Sequence, residues 1–200
     1  MKEYQVIGNA ASGSIRFNTD SSKLEIYNGE AWFEIDSTSP ELQTGGTRGL
    51  FGGGETPSLT DRIDFINVDT TGNAADFGDL SISKRNLKST SDRTRLIFTG
   101  GYTSGPAVVY NTLEFVTMAS TGNTADFGDL TQARSRHSGF ASSTRGFAAG
   151  GMSSPSPTTP SEVIDFVTIQ STGNAVDFGN MSSARLGPSG AQSPTRGLIF

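Results

Sequence analysis

The chain has 200 residues, with 15 basic and 20 acidic side chains, and its formal net charge at pH 7 is -5. This acidic balance argues against nucleic acid as a partner, because proteins that follow the phosphate backbone usually carry a basic stripe. Cysteine is absent, which excludes a disulfide scaffold and thiolate metal sites. No run reaches the roughly 18 apolar residues that a membrane span needs, so we expect no membrane insertion.

Residues 1–36 are predicted to form a small β-meander of three strands. Polarity alternates over residues 14–18 and again over 23–27, with a turn signal between them. Asn28-Gly29 is a strong hairpin signal, and residues 30–35 complete the meander. Residues 37–44, rich in serine, threonine and proline, are expected to be a linker.

This meander is too short to bury its own apolar side chains, because fewer than about 40 residues without cysteine or metal seldom fold alone. We therefore predict that it docks on another protein, or on further copies of the chain around a symmetry axis, for example as a trimer. The candidate docking or oligomerisation residues are Ile15, Phe17, Ile26, Tyr27, Trp32 and Phe33, with Leu24 among the exposed apolar side chains.

The remainder of the chain, residues 45–200, consists of repeats of about 50 residues. Three segments align without gaps, at 63–80, 113–130 and 164–181, and each contains Thr-Gly-Asn followed by Asp-Phe-Gly. A Thr-Arg pair recurs near the start of each repeat, followed in the three complete repeats by adjacent glycines. These markers divide the region into repeats at 47–93, 94–143 and 144–194, with a fourth beginning at 195.

Each repeat is predicted to contain four short strands. In the third, β-branched and aromatic residues alternate with polar ones over 163–169. Residues 171–174 are predicted to turn, since Gly and Asn accept positive φ, and residues 175–178 return as the next strand. Residues 187–193 are expected to hold the first strand of the following repeat. Four strands per repeat are typical of propeller blades.

The repeats resemble the kelch family of β-propellers. In the third repeat the matching features are Gly150-Gly151, the strand Val163 to Ile169, Phe178 and, seven residues later, Arg185. The chain departs from the family pattern where the usual Trp of the fourth strand is Phe. The resemblance implies an all-β fold of kelch-like blades. Because propellers typically close with four to eight blades, about three blades predict an incomplete ring, completed by a longer product or by other chains.

The N-terminal module carries a second resemblance. Its segments Gly13 to Asp20 and Lys23 to Gly29, with Trp32, are similar to a small module of bacteriophage tail-fibre and other virion structural proteins, notably of marine phages. The resemblance implies a virion component made in the host cytoplasm. Its meander would bind other virion proteins, and its repeats would reach outward to the host.

Residues suited to catalysis or metal binding are scarce. His137 is the sole histidine, and a structural or surface role is expected for it because it lacks recognisable partners. The triplets at Asp76, Asp126 and Asp177 are explained by an Asp that caps a turn and a Gly that permits a bend; a cation held by Asp76 with Asp79 is the alternative. We predict no enzymatic activity, no catalytic residue, no cofactor and no metal.

The glycine pairs and the recurrent arginines are expected to hold neighbouring blades together. Glycine permits close backbone approach, and a planar guanidinium can bind carboxylates or backbone carbonyls. A ring that binds anions or carbohydrate is the alternative for the arginines, which are Arg48, Arg95, Arg145 and Arg196.

The connection that follows each glycine pair varies in length and content between repeats, and variable loops on a rigid scaffold suit recognition. The alternative is that surface loops drift freely. The candidate recognition residues are Thr56, Ser58, Tyr102, Ser104, Ser153, Ser156 and Thr158. The expected ligand is a host cell-surface glycan or protein. Two other hypotheses are a non-viral kelch-like binding or adaptor module for protein or glycan, and a propeller hydrolase or lyase.

Overall fold

The computed structural model describes residues 10–21, 23–35, 47–193 and 196–200. As the sequence predicts, the fold is all-β: the described ranges contain antiparallel sheets and no helix. A helix long and apolar enough to cross a membrane is therefore not found in these ranges. The chain divides into two compact bodies, one within residues 1–41 and one within 42–200. The predicted linker, residues 37–44, lies outside the described residues.

The N-terminal body contains a three-stranded meander with the strand order β1-β2-β3. Its strands are β1 (Ile15–Asn18), β2 (Lys23–Tyr27) and β3 (Trp32–Glu34). Asn28 begins the turn between β2 and β3, and its Oδ1 accepts hydrogen bonds of 2.8 Å from the Glu30 and Ala31 N–H groups. Gly29 follows with φ of +106°, so the Asn-Gly hairpin signal is confirmed.

The second body contains the repeats, whose strands are mostly short and pair with strands close to them in the sequence. They are β4 (Arg48–Glu55), β5 (Leu59–Asn67), β6 (Ala75–Asp79), β7 (Lys88–Ser91), β8 (Arg95–Thr99), β9 (Tyr102–Ser104), β10 (Ala107–Val109), β11 (Thr112–Thr117), β12 (Ala125–Asp129), β13 (Ser138–Ala141), β14 (Arg145–Ala149), β15 (Met152–Pro155), β16 (Thr158–Thr168), β17 (Val176–Arg185), β18 (Gly190–Gln192) and β19 (Gly197–Ile199).

Each main sheet is an antiparallel meander. The first described sheet has the order β4-β5-β6, the second β7-β8-β11-β12, and in the third β13, β14, β16 and β17 follow one another, with β15 also pairing β16. The strand that ends one repeat therefore opens the sheet of the next. β18 pairs with β19, as expected for the first strand of a following repeat. β13 contacts β7 on one side and β18 on the other, so the opening strands of successive sheets are neighbours.

The apolar core lies between the sheets. One cluster joins Ile63, Phe77 and Leu80 of the first repeat to Leu96, Phe98, Val116 and Met118 of the second. The other joins Ile97, Leu113, Phe127, Leu130 and Ala141 of the second repeat to Ala148, Val167 and Ile169 of the third. In the first two repeats, the Phe of the Asp-Phe-Gly triplet is thus covered by the following repeat. Burial of apolar area between repeats supplies the main attraction between them.

Backbone hydrogen bonds connect the Thr-Gly-Asn segments of the second and third repeats to the preceding repeat. Gly122 N–H donates to Phe77 O, and Gly173 N–H to Phe127 O, both at 2.7 Å. The Asn side chain that follows accepts a hydrogen bond in return. Asn123 Oδ1 accepts from the Asp79 N–H, and Asn174 Oδ1 accepts from the Asp129 N–H, both at 3.0 Å. The segment predicted as a turn is therefore a clasp between repeats, and the chain reverses just before it. We call it the Thr-Gly-Asn clasp.

The glycine of each Asp-Phe-Gly triplet makes room for this clasp. A Cβ on Gly78 would collide with the Gly122 carbonyl, and a Cβ on Gly128 would collide with the Gly173 carbonyl. At Gly179 a Cβ would meet no atom within 4 Å. All three triplet glycines have positive φ, +151°, +143° and +134° in chain order. In the first two repeats, the triplet is thus the place on which the clasp of the next repeat packs.

Two buried ion pairs also join successive repeats. Lys84 Nζ lies 2.6 Å from Glu114 Oε1, and Arg134 Nη2 lies 2.8 Å from Asp165 Oδ2. Burial raises the pKa of Glu114, but hydrogen bonds from Lys84 and the Ser81 N–H outweigh it and hold that pKa below its ordinary value. Each cation lies seven residues after the Phe of its triplet. These positions fix one repeat against the next.

Two of the four recurrent arginines bind backbone carbonyls of the following repeat, as expected. Arg48 Nη1 donates to Met118 O at 2.8 Å, and Arg95 Nη1 donates to Ile169 O at 3.4 Å. The glycine pairs permit close approach as predicted: Gly101 N–H donates to the Arg134 carbonyl at 3.0 Å.

We predict that Lys84→Met lowers the free energy of unfolding by about 3–5 kcal/mol, because it leaves the Glu114 carboxylate buried without its cation. Urea denaturation measures this loss. The matched control is Arg62→Met, which breaks an exposed pair with Asp64 that is 2.7 Å long. Because a solvent-exposed ion pair contributes little to stability, this variant should lose much less. Equal losses in the two variants would contradict the importance of the buried pair.

A second prediction concerns the clasp. Gly128→Ala and Gly179→Ala introduce the same methyl group at similar positive φ, so both carry the cost of backbone strain. Only the Cβ at Gly128 strikes a clasp carbonyl. Gly128→Ala is therefore expected to lower the free energy of unfolding by about 1–3 kcal/mol more than Gly179→Ala. Urea denaturation of both variants measures the difference, and a difference near zero would refute the clasp's contribution.

Candidate docking and recognition surfaces

One face of the N-terminal sheet is apolar across all three strands. Strand alternation and register place one set of side chains on this face. Ile15 is opposite Ile26, which is opposite Phe33, and Phe17 is opposite Leu24. Ile35, next to Leu24 through a backbone hydrogen bond of 2.8 Å, extends the row. All six are exposed within this body. We call this set, Ile15, Phe17, Leu24, Ile26, Phe33 and Ile35, the apolar face.

The opposite face is polar and aromatic, and its side chains contact one another. Arg16 Nε binds Glu25 Oε2 at 2.7 Å, and the Arg16 guanidinium lies 4.3 Å from the Trp32 ring centroid. Tyr27 and Trp32 have their ring centroids 5.3 Å apart. The structure therefore separates Tyr27 and Trp32 from the other four predicted docking residues. Ile35 is not in the predicted set, although it lies two residues after Phe33 and the same alternation of polarity would have identified it.

The variable connections after the glycine pairs form β-hairpins. In the first repeat β4 and β5 are joined by residues 56–58, in the second β9 pairs with β10, and in the third β15 pairs with the start of β16. The predicted recognition residues Thr56, Ser58, Ser104, Ser156 and Thr158 are exposed at these hairpins, whereas Tyr102 and Ser153 are half-buried.

These hairpins are close to one another. Arg85 forms an ion pair with Glu55, at the end of β4, and its guanidinium lies 5.4 Å from the ring centroid of Tyr102 in the second hairpin. β10 of the second hairpin contacts β15 of the third. The connections of three repeats thus form one continuous surface, which we call the hairpin surface. Its exposed hydroxyls and backbone groups can donate and accept hydrogen bonds.

His137 lies in the interior of the repeats. Its ring is fully buried, and its Nε2 lies 2.6 Å from Thr99 Oγ1. Burial first, and then the positive charges of Arg134 and Lys88, lower the His137 pKa to about 3. The ring is therefore neutral at pH 7. A structural or a surface role was possible for His137. Its location in the interior supports the structural role and excludes the surface role.

The carboxylates of the Asp-Phe-Gly triplets do not gather into a cluster. Asp76, Asp126 and Asp177 are all exposed, on three successive sheets. Among the residues that the structure describes, no group of three or more His, Cys, Asp or Glu side chains is placed to hold a metal ion.

No protein-family model matches the chain, and a search of curated proteins finds no match either.

The neutral, buried His137 predicts a loss of stability in mild acid. The unfolded chain binds a proton near pH 6.5 and the folded chain only near pH 3, so this contribution is complete above pH 6.5 and falls as the pH drops towards 3. Between pH 7 and pH 5 the free energy of unfolding should fall by about 2 kcal/mol on account of His137. Urea denaturation at both pH values measures it. His137→Gln should remove this part of the pH dependence, and an unchanged dependence would contradict the assignment.

Proposed function

We propose that this chain is a virion structural protein of a bacteriophage, in a tail fibre or a similar appendage that attaches to the host surface. The observation that carries the proposal is the apolar face, because it belongs to the same residues that resemble the phage module. A three-stranded sheet with one face fully apolar needs a covering partner. Other virion proteins, or further copies of the chain as in a trimer, would supply it.

We further propose that the repeats are kelch-like propeller blades. Three features support this assignment: meandering sheets in successive repeats, opening strands that are neighbours, and an apolar core between the sheets. The described residues do not form a closed ring, so closure would need further blades. Adjacent, variable hairpins on such a scaffold suit attachment to a host glycan or protein.

The proposal of a recognition function has a second form, a non-viral binding or adaptor module. The hairpin surface favours it equally, because this surface belongs to the repeats and is independent of the phage resemblance. The two forms differ in where the N-terminal sheet docks, which is on a virus particle in one and on a cellular partner in the other.

Immuno-electron microscopy of purified phage particles separates the two forms. We expect an antibody against residues 10–35 to label disrupted particles, where the docked sheet becomes accessible, and an antibody against the hairpin surface to label intact ones. Absence of the chain from particles would refute the virion assignment. A glycan array with the purified chain then tests recognition separately.

Matched variants test the role of the apolar face. Phe17 and Phe51 are exposed to 60% and 59%, in the N-terminal body and the first repeat respectively. Phe17→Asp should abolish incorporation into particles, because a charge in a covered apolar interface is costly, whereas Phe51→Asp should be incorporated as the wild type is. Incorporation of both variants would contradict docking through this face.

A further inference from the structure

One arginine of the repeats has a backbone conformation that suits its side chain poorly. Asn86 and Arg136 are the non-glycine residues with positive φ in the described part of the chain, at +56° and +53°, and Gly187 has +65° at the equivalent position of the third repeat. Glycine adopts this left-handed conformation freely and asparagine tolerates it, whereas a side chain as large as that of arginine is strained there. Arg136 is therefore the least favourable of the three residues at this position.

The side chain of Arg136 gains nothing within the protein that offsets this strain. Arg136 is exposed, and among the described residues its guanidinium has no hydrogen-bond acceptor, no carboxylate partner and no aromatic ring beneath it. Backbone strain of this kind is concentrated at sites that bind ligands or react. The conformation and the free guanidinium together indicate that Arg136 acts on something outside the chain.

Arg136 borders the hairpin surface. The preceding residue, Ser135, exchanges backbone hydrogen bonds of 2.9 and 2.7 Å with Met152, at the start of the third hairpin. The Arg136 N–H donates to the Asn86 carbonyl at 2.9 Å, and the residue before Asn86 exchanges backbone hydrogen bonds with Tyr102 of the second hairpin. Arg136 thus lies where the segments that lead to these two hairpins meet.

Positive charge is in excess on these two segments, residues 84–88 and 134–138. Three of their five cations have carboxylate partners, namely Lys84, Arg85 and Arg134. The other two, Lys88 and Arg136, are exposed and form no ion pair within the described ranges. Lys88 lies against the strand that follows Arg136, because a Cβ on Gly139 would meet the Lys88 Cβ at 3.3 Å. Two unpaired cations therefore border the hairpin surface of a chain whose net charge is -5.

We propose that Arg136 and Lys88 form a subsite for an anionic sugar, whose carboxylate or phosphate group binds the two cations. The inference rests on the proposed recognition function and adds the chemical class of the ligand. A planar guanidinium can bind two oxygens of such a group at once, and an ammonium adds a compact second charge. The neighbouring hairpins provide exposed hydroxyls, which can donate to and accept from the hydroxyls of a sugar.

Other anionic ligands fit this surface less well. A nucleic acid presents a long run of phosphates, which the net negative charge of the chain repels beyond the subsite. An acidic peptide usually gains its affinity from an open strand edge or from pockets for its side chains, whereas the exposed predicted residues of the hairpins are serines and threonines. A single acidic group on a sugar needs only the two cations.

A glycan array with matched sets tests the ligand class. Each set contains a neutral oligosaccharide, the same oligosaccharide with a terminal uronic acid, and the same oligosaccharide with a phosphate on its terminal sugar. The full chain should bind an acidic member at least about tenfold more tightly than its neutral parent, and added salt should weaken this binding. The acidic member that is bound distinguishes a carboxylate ligand from a phosphate ligand.

Two variants with the same change of charge locate the subsite. Arg136→Gln should weaken binding of the acidic glycan about tenfold, because it removes a charge-assisted hydrogen bond. Arg93 is also exposed, and it lies beyond the other end of β7 from Lys88. Arg93→Gln should therefore leave binding unchanged. Equal effects of the two variants would overturn the subsite.

Arg136→Gly separates recognition from a structural role. Glycine accepts the φ of +53° without strain, so the urea midpoint should be equal to that of the wild type or higher, while the acidic glycan should be lost as in Arg136→Gln. A lower urea midpoint would assign Arg136 a structural role and overturn the proposal.

The remaining outcomes distinguish this inference from the proposed function. Equal binding of neutral and acidic glycans would overturn the subsite and leave recognition of glycans intact. Tighter binding of a polyglutamate peptide than of any acidic glycan would overturn the ligand class. Failure to bind any glycan would also overturn the inference, whereas the virion assignment depends on the labelling of particles.

Discussion

Each of the two buried cations in the repeats pairs with a carboxylate of the following repeat, and this constraint organises the rest of the region. A cation such as Lys84 is far from water, so it requires Glu114 at a fixed distance. That requirement sets where one sheet lies against the next. The clasp, the arginine–carbonyl contacts and the shared apolar clusters then join the same two repeats. Stability in such an array comes from nearest-neighbour interfaces as well as from the repeats themselves.

The N-terminal sheet is small and is stabilised in a different way from the repeats. Its polar face is internally satisfied, since Arg16 binds Glu25 and stacks on Trp32. Its apolar face has no equivalent arrangement within this body. A sheet of three short strands buries little surface alone, so its stability depends on what covers that face. The two bodies thus have different roles in the proposed function: the N-terminal sheet docks on a partner, and the repeats present variable hairpins to a ligand.

Much of the fold follows from local sequence signals. Alternation predicted the strands, Asn28-Gly29 predicted a hairpin, and the internal alignment predicted repeated sheets. Contacts distant in sequence were harder to predict. Thr-Gly-Asn has the composition of a turn, and its role as a clasp depends on a strand more than 40 residues earlier. Lys84 and Arg134 resemble ordinary surface charges until the partner carboxylate is known. Likewise, the connections read as loops because their proline and serine content is typical of turns.

The contacts between repeats have a direction: the first repeat receives a clasp, the third gives one, and the second does both. A repeat inserted by duplication would meet matched surfaces on both sides, so genetic recombination can change the repeat number without inventing a new interface. Every added repeat brings its own hairpin to the hairpin surface. The number of repeats would therefore set the number of binding elements on that surface, and multivalent binding can raise avidity even when each individual contact is weak.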